Sequence, residues 1–528
     1  MKTAGGKRFS LKERSWILYD WANSVYATNI MAAIFPTIFV SVAGDAGSYW
    51  WGIGTSLATL LVAALSPILG AIADFKGMKK KLFTAFMLSG VVFTALIALT
   101  GDWRVMLALY VLSHIGFSGA NLFYDSFLTD VTTNERMDSV SSWGYAMGYI
   151  GGSTIPFVLS IGMLLWQGYD SPLAQKFAIL ITSAWWLAFS IPFLKNVHQE
   201  HCIERPKKNP LGQAFSNVLR TGKEIAQKRG LLLFVIAYFF YIDGVGTIIS
   251  ISTAYGSALG LGAVGMILAL LVTQIVAMPS AILFGKAAKK VSTRKAILFA
   301  ICVYMLICMV GFVMGFSLEP HQQAYLSAYR EHSQQQQEGM IADYEDLTAA
   351  SRAVWEYDRD MEDALLHQTA EDIAAIRMTL PEGASAHDLA LLEGSNARLS
   401  QIRQDFEQAH APLIDAYKQA ISRSTIMFWS MAILVGTVQG GIQAMSRSYF
   451  AKLVPKHRSN EFFGFFDIFG KFATFLGPLL YALIGSITGR ASLGTLALLL
   501  LFLIGFIVLL KAKQPLDELE AQLAANQE

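Results

Sequence analysis

Long apolar runs alternate with short polar breaks along most of this chain. Twelve stand out, at roughly 15–42, 49–73, 82–101, 104–129, 140–166, 174–194, 230–257, 261–287, 294–316, 424–449, 461–487 and 491–511. Each is about 20 residues or longer, enough for a helix rising 1.5 Å per residue to cross a hydrocarbon layer of about 30 Å. A backbone in lipid must satisfy its own hydrogen bonds, and runs this long and this apolar do so as helices. The pattern predicts an all-α integral membrane protein with twelve transmembrane helices.

One interval breaks the rhythm. Segment 317–423 is polar, and its apolar residues fall into heptads. Leu392, Leu399, Phe406 and Leu413 recur every seven residues with Ile402 between them, and Met340, Leu347, Val354, Met361 and Leu365 form a looser seam. Pro381-Glu382-Gly383 supplies a turn between the two arms. The segment reads as a helical hairpin on the non-cytoplasmic side that continues the flanking helices outward.

The chain also repeats itself. At an offset of 322 residues, Gly119, Asn121, Ser126, Arg136, Gly148 and Pro156 fall on Gly441, Gln443, Ser448, Arg458, Gly470 and Pro478. The stretch Gly70 to Lys80 recurs 215 residues later as Gly285 to Lys295, with Lys289 where the first copy has Asp74. The two offsets differ by the 107 residues of segment 317–423, which marks that segment as an insertion. Two duplicated membrane halves are the architecture of a transporter. The expected domains are an N-terminal six-helix bundle (1–195), a cytoplasmic basic linker (196–229) and a C-terminal six-helix bundle (230–528) containing the insertion.

Composition sharpens this picture through its distribution. The chain is 54% hydrophobic and 15% charged, with a net charge of +2. Segment 317–423 holds 19 acidic and 8 basic residues, so the remainder is strongly basic. The cations gather at the N-terminus, at Lys76–Lys81, between Lys195 and Arg229, at Lys286–Lys295 and at Arg447–Arg458. These are alternate breaks, all on one side, and the positive-inside rule makes that side and both termini cytoplasmic. The expected location is a bacterial inner membrane, and the basic loops need no nucleic-acid partner to explain them. The first run is too long for a cleaved leader and carries Asp20 and Asn23, so it reads as the first helix. Three cysteines (Cys202, Cys302, Cys308) give no disulfide framework.

Candidate chemistry lies in the polar residues inside the runs, because an ionisable group in a membrane helix is costly and usually functional. Asp243 stands about thirteen residues into its run, and Gly244 and Gly246 predict local unwinding there. Asp20 is either a second functional carboxylate or an interfacial acid stabilised by the helix dipole. Asn23, Asn121, Asp125, Gln439 and Gln443 complete a candidate set for solute or proton contact. Asp125 and Arg447 occupy equivalent repeat positions with opposite charge. Whether they touch is left open by the sequence. His114 reads more readily as packing than as a proton relay. Gly70, Asp74, Gly77, Arg136, Arg447 and Arg458 form a candidate cytoplasmic gate. No phosphate loop, metal-ligand spacing or nucleophile triad is visible, so no cofactor, metal or enzyme activity is expected.

Gly70-x-x-x-Asp74-Phe75-Lys76-Gly77 resembles the loop pattern of the major facilitator superfamily, with Phe75 where that family usually carries Arg. Tyr19-Asp20-Trp21-Ala22-Asn23-Ser24, Ser142-Trp143-Gly144-Tyr145-Ala146-Met147-Gly148 and Val438-Gln439-Gly440-Gly441-Ile442-Gln443 resemble its vacuole-effluxer-like (autophagy-related amino-acid effluxer) branch. The resemblance implies two pseudo-symmetric six-helix bundles around a cavity that opens alternately to each side. It also implies secondary active transport of a small polar solute, with efflux of amino acids as the expected mode. Carboxylates held inside the membrane, Asp243 and Asp20 first, are the candidates for coupling that transport to protons. Asp125 stands where relatives are expected to carry an uncharged amide. The rival reading is a non-transporting membrane receptor or scaffold that binds a protein partner through 317–423.

Overall fold

In the computed structural model, which describes residues 8–44, 47–168, 171–204, 210–261, 263–345, 385–472 and 475–525, twelve helices are long and apolar enough to cross a membrane. In chain order they are α1 Leu11–Ala43, α2 Gly47–Ala73, α3 Met78–Ile97, α4 Trp103–Val131, α5 Asn134–Gln167 and α6 Pro172–Asn196. The second half follows as α7 Arg229–Ala258, α8 Ala263–Val291, α9 Thr293–Glu345, α10 Ala411–Leu453, α11 Lys456–Thr488 and α12 Ala491–Lys511. They form two six-helix bundles. Leu60, Leu65, Leu479 and Leu483 are among the large apolar side chains left exposed on the outside, as lipid-facing positions should be.

Local chemistry sets the ends. Ser10 and Glu13 close α1 with a reciprocal capping box. Ser171 caps α6 just before Pro172, the position where a missing N–H costs nothing. The sharp turns entering α3 and α9 put Gly77 at φ +73° and Ser292 at φ +125°, and these residues are 215 apart. The duplication thus preserves a left-handed turn even where glycine has been replaced.

Two helices depart from regular geometry where they meet. α1 is π-helical over Tyr26–Ala33 and α5 over Gly148–Thr154. A Cβ on Gly148 or Gly152 would stand 2.5 Å from Ser24, and one on Gly151 would strike the Trp21 ring. Small residues let these helices touch. The unwinding expected after Asp243 does not occur. α7 is a continuous α-helix through Gly244 and Gly246, and Gly244 instead admits the Phe502 ring from α12. The described part of α11 consists of two helical pieces, Ser459–Phe472 and Leu476–Thr488.

α9 is 53 residues long, about 80 Å, so its outer part projects beyond the hydrocarbon layer. Helix Ala386–Ala409 packs on it through Phe406, whose ring lies 5.4 Å from Tyr325 and 5.1 Å from Tyr329. Tyr417 of α10 stacks on Tyr325 at 4.8 Å. The expected turn Pro381-Glu382-Gly383 lies outside the described residues, as do Leu347, Val354, Met361 and Leu365.

Candidate functional site

The seam between the bundles is built around Arg447. Small residues on α10 bring it there. A Cβ on Gly440 would meet Tyr149 and Ala281, and one on Gly441 would meet the Phe284 ring. One turn and a half beyond Gly441, the Arg447 guanidinium crosses to the N-terminal bundle. Nη1 donates to Asp125 Oδ1 at 2.9 Å, and Nη2 donates to Asp20 Oδ2 at 3.2 Å and to the Ser141 carbonyl at 3.1 Å. Nε donates to Ser141 Oγ at 3.0 Å. Trp16 and Tyr145 flank the guanidinium with ring centroids at 4.6 and 4.4 Å. Tyr124 donates to Asp20 Oδ2 at 2.7 Å, and Trp16 Nε1 donates to the Tyr124 carbonyl. Three helices of one bundle (α1, α4 and α5) thus converge on one cation of the other.

Arg447 and Asp20 are buried, while the Asp125 side chain keeps 31% exposure. One guanidinium facing two carboxylates leaves a formal charge of −1 when all three are ionised. Nearby, Asn23 Nδ2 donates to Asn121 Oδ1 at 2.5 Å. Gln439 hydrogen-bonds Tyr149 across the seam, and Gln443 is partly exposed between Gln439 and Arg447. His114 is buried and hydrogen-bonded to Tyr110 at 3.3 Å.

Asp243 lies elsewhere. It is fully buried, and its two oxygens accept from the Gly477 N–H at 3.0 and 2.9 Å. It therefore caps the Leu476–Thr488 piece of α11, and none of its described hydrogen bonds joins it to the Arg447 cluster.

On the basic-loop side of Arg447 the bundles interlock in two copies of one contact. Gly70 receives the first turn of α11, since a Cβ there would stand 2.3 Å from the Asn460 carbonyl. Gly285 receives the second and third turns of α5, with Ser142 at 2.6 Å and the Asp138 carbonyl at 3.2 Å. Ser126 donates to Asn460, and Ser448 donates to Asp138 at 2.7 Å. Ser126 and Ser448 are 322 residues apart, as are Asp138 and Asn460.

The charges differ between the copies. Asp74 Oδ1 accepts from Asn460 N at 3.0 Å and Nδ2 at 2.7 Å, and Oδ2 accepts from Glu461 N at 2.9 Å. It caps the Ser459–Phe472 piece of α11 at the positive end of the helix dipole. Burial pushes the Asp74 carboxyl up to about 7, against the Asn460 hydrogen bonds and the Lys79 charge that pull it down. In the second copy Lys452 binds Asp138 at 2.7 Å instead. Phe75 does not reach for a charge. It is buried and bridges Ile203, whose N–H donates to the Asp74 carbonyl at 2.8 Å.

Arg136 and Arg458 make no ion pair across the seam between the bundles: the first pairs within the N-terminal half, the second with the linker and its own half. Arg136 binds Glu13 at 2.6 Å, and Arg458 binds Glu224 at 2.7 Å and Glu461 at 3.1 Å. Sequence reasoning left Asp138, Ser141, Tyr145, Asn460 and Glu461 out of the candidate set. The offset of 322 that relates Asp138 to Asn460 was the available signal. Among the described residues, no three His, Cys, Asp or Glu side chains cluster to hold a metal ion.

These features can be set beside known proteins. The model of the family described as "Vacuole effluxer Atg22 like" matches residues 51–137, 129–324 and 422–518. This chain belongs to that family. It is 38% identical over 518 residues to an uncharacterised MFS-type transporter, YxiO, of Bacillus subtilis (strain 168), covering 95% of each chain. It is 23% identical over 404 residues to autophagy-related protein 22 of Cryptococcus neoformans, covering 74% of this chain and 52% of the relative. The fold is similar to that of a bacterial homologue of the iron transporter ferroportin in an outward-facing state, with a TM-score of 0.55 and 12% identity over 96% of this chain and 98% of that one. It is similar too to the proton:xylose symporter XylE, with a TM-score of 0.53 and 9% identity over 95% and 94%. The Atg22-like chain described here is therefore a major-facilitator-type membrane transporter.

Proposed function

We propose that this Atg22-like transporter exports small ammonium-bearing solutes, amino acids first among them, from the cytoplasm of a bacterium in exchange for protons. The observation that carries this reading is the charge count at Arg447. Asp20 and Asp125 outnumber the guanidinium by one, so the site is neutral only when it holds one added positive charge. A proton and a substrate ammonium compete for that place. Competition for one site, coupled to alternating access, is the requirement for exchange: the carrier reorients loaded with either and not with both. Asn23, Asn121, Gln439 and Gln443 supply polar groups for the remainder of the solute. The positive-inside rule puts the basic loops and both termini in the cytoplasm. On that orientation the interlock of α2 with α11 and of α5 with α8 closes the cytoplasmic face.

The test is the melting temperature of the purified protein against a panel of amino acids and metabolites at two pH values. A ligand of the folded state raises it. The reading requires a shift confined to ammonium-bearing solutes, larger at the higher pH and lost in Asp20→Asn. Shifts from solutes without an ammonium group, at equal size in Asp20→Asn, would overturn it.

A further inference from the structure

The linker between the halves contains a helix, Pro210–Gln227, with three distinct sides. At 100° per residue, Ala214, Asn217, Thr221 and Ile225 share one side and are buried. That side grips the start of α11: Glu224 and Thr221 accept from Arg458, and Thr221 donates to Glu461 at 2.6 Å. Phe215 and Leu219 share a second side and are 57% and 64% exposed. Gln213, Ser216, Arg220, Lys223 and Gln227 share a third, also exposed. A helix at a water-facing surface would carry its polar groups outward. This one turns polar groups toward the protein and leaves a separate apolar side uncovered beside a basic one.

We infer that this helix lies in the membrane interface on the basic-loop side, with Phe215 and Leu219 among the acyl chains and Arg220 and Lys223 against anionic headgroups. Its depth supports this. A Cβ on Gly222 would stand 3.4 Å from the Phe465 ring of α11. Phe465 is four residues, about 6 Å, beyond Glu461, whose N–H is capped by Asp74 at the end of α2. Interfacial helices sit about 5–10 Å into the headgroup–acyl boundary. The helix also packs against α2 and α11, the two helices whose Leu60, Leu65, Leu479 and Leu483 are exposed on the outside. Anionic lipid adds attraction for each cation near the surface.

The consequence reaches the gate. Arg458 ties the helix to the first turn of α11, and that turn is what Asp74 and Gly70 hold when the bundles close. Opening this face moves the α11 turn away from Asp74, so the linker helix must shift in the interface with it. Headgroup charge then biases the open–closed balance.

The experiment uses the full chain in vesicles, with Cys202, Cys302 and Cys308 replaced by serine and a spin label at Leu219→Cys, at Phe215→Cys or at Gln213→Cys. Accessibility to oxygen and to a water-soluble nickel chelate is read by paramagnetic relaxation, which needs no transport activity. The expected result is oxygen access and nickel shielding at 215 and 219, and the reverse at 213. Shielding at 219 should deepen when phosphatidylglycerol is added to phosphatidylcholine, and the double variant Arg220→Gln, Lys223→Gln should abolish that response. Nickel access at 219 equal to that at 213 would overturn the inference. So would spin–spin broadening at 219 that grows with the protein-to-lipid ratio, which would assign the apolar side to a second copy of the chain.

Discussion

Arg447 and Asp125 form an ion pair at 2.9 Å although 322 residues separate them, and 322 is the offset that relates the two halves of the chain. Residues related by an approximate two-fold axis can touch only if they lie near it. The pair therefore marks the centre of the molecule, where the bundles must part and rejoin if the cavity is to face each side in turn. Opposite charges there give the closed arrangement an attraction that identical residues could not.

The network should be strongly coupled. Removing Arg447 leaves Asp20 buried without a counter-charge, and breaking a buried pair from one side typically costs about 3–5 kcal/mol. Arg447→Gln should lower the melting temperature markedly. Adding Asp20→Asn should recover part of the loss, because the orphaned charge is then gone. Additive losses in the double variant would show that the two groups act separately.

Gly70 should be a conformational switch point more than a folding requirement. A Cβ there collides with the Asn460 backbone only when the bundles are closed on the basic-loop side. Gly70→Ala should therefore shift the population toward the form open on that side. Spin-label distances between the loop after α2 and the start of α11 would report it as a loss of the short-distance population, with melting in detergent little changed.

Asp74 predicts a pH dependence of that same closure. In the closed form its carboxyl stands at about 7, and released to water it returns to an ordinary aspartate value of about 3.9. The closed form therefore binds the proton more tightly. This contribution to closure is complete below about pH 4 and is lost as pH rises through about 7. The short-distance population should fall between pH 6 and pH 8, and Asp74→Asn should flatten the profile.

Asp243 separates capping from coupling. Asp243→Ala removes both acceptors of the Gly477 N–H and should cost about 1 kcal/mol or more, as loss of a helix cap does. Asp243→Asn keeps an acceptor and drops the charge. Proton-dependent transport lost in Asp243→Asn at an unchanged melting temperature would place a travelling proton on this residue. Unchanged transport would leave it as a cap alone.

The fold was legible because hydropathy reports membrane crossing directly. The run 491–511 coincides with α12, and the run 49–73 ends where α2 ends. The entry to α3 was missed by several residues, since Met78-Lys79-Lys80-Lys81 is helical and basic. Lys79 can be there because it is buried against Asp130 and the Ser126 carbonyl, a tertiary arrangement that hydropathy cannot see. The site was half legible. Polar residues inside the runs drew attention to Asp20, Asp125 and Arg447, but only the folded bundles bring the three together. For Asp243 the sequence gives its depth in a helix, but depth does not say which neighbour a carboxylate faces, and its described partner is the Gly477 N–H. The π-helical stretches of α1 and α5 leave no mark in the hydropathy pattern.

The most direct measurement follows proton movement with solute movement in proteoliposomes, using a pH-sensitive dye trapped inside and a solute chosen from the melting panel. The wild-type chain should carry protons opposite to the solute at a fixed ratio. Asp20→Asn combined with Asp125→Asn should abolish the dye response while the protein stays folded. Proton-coupled exchange of wild-type size in that double variant would contradict a shared site at Arg447.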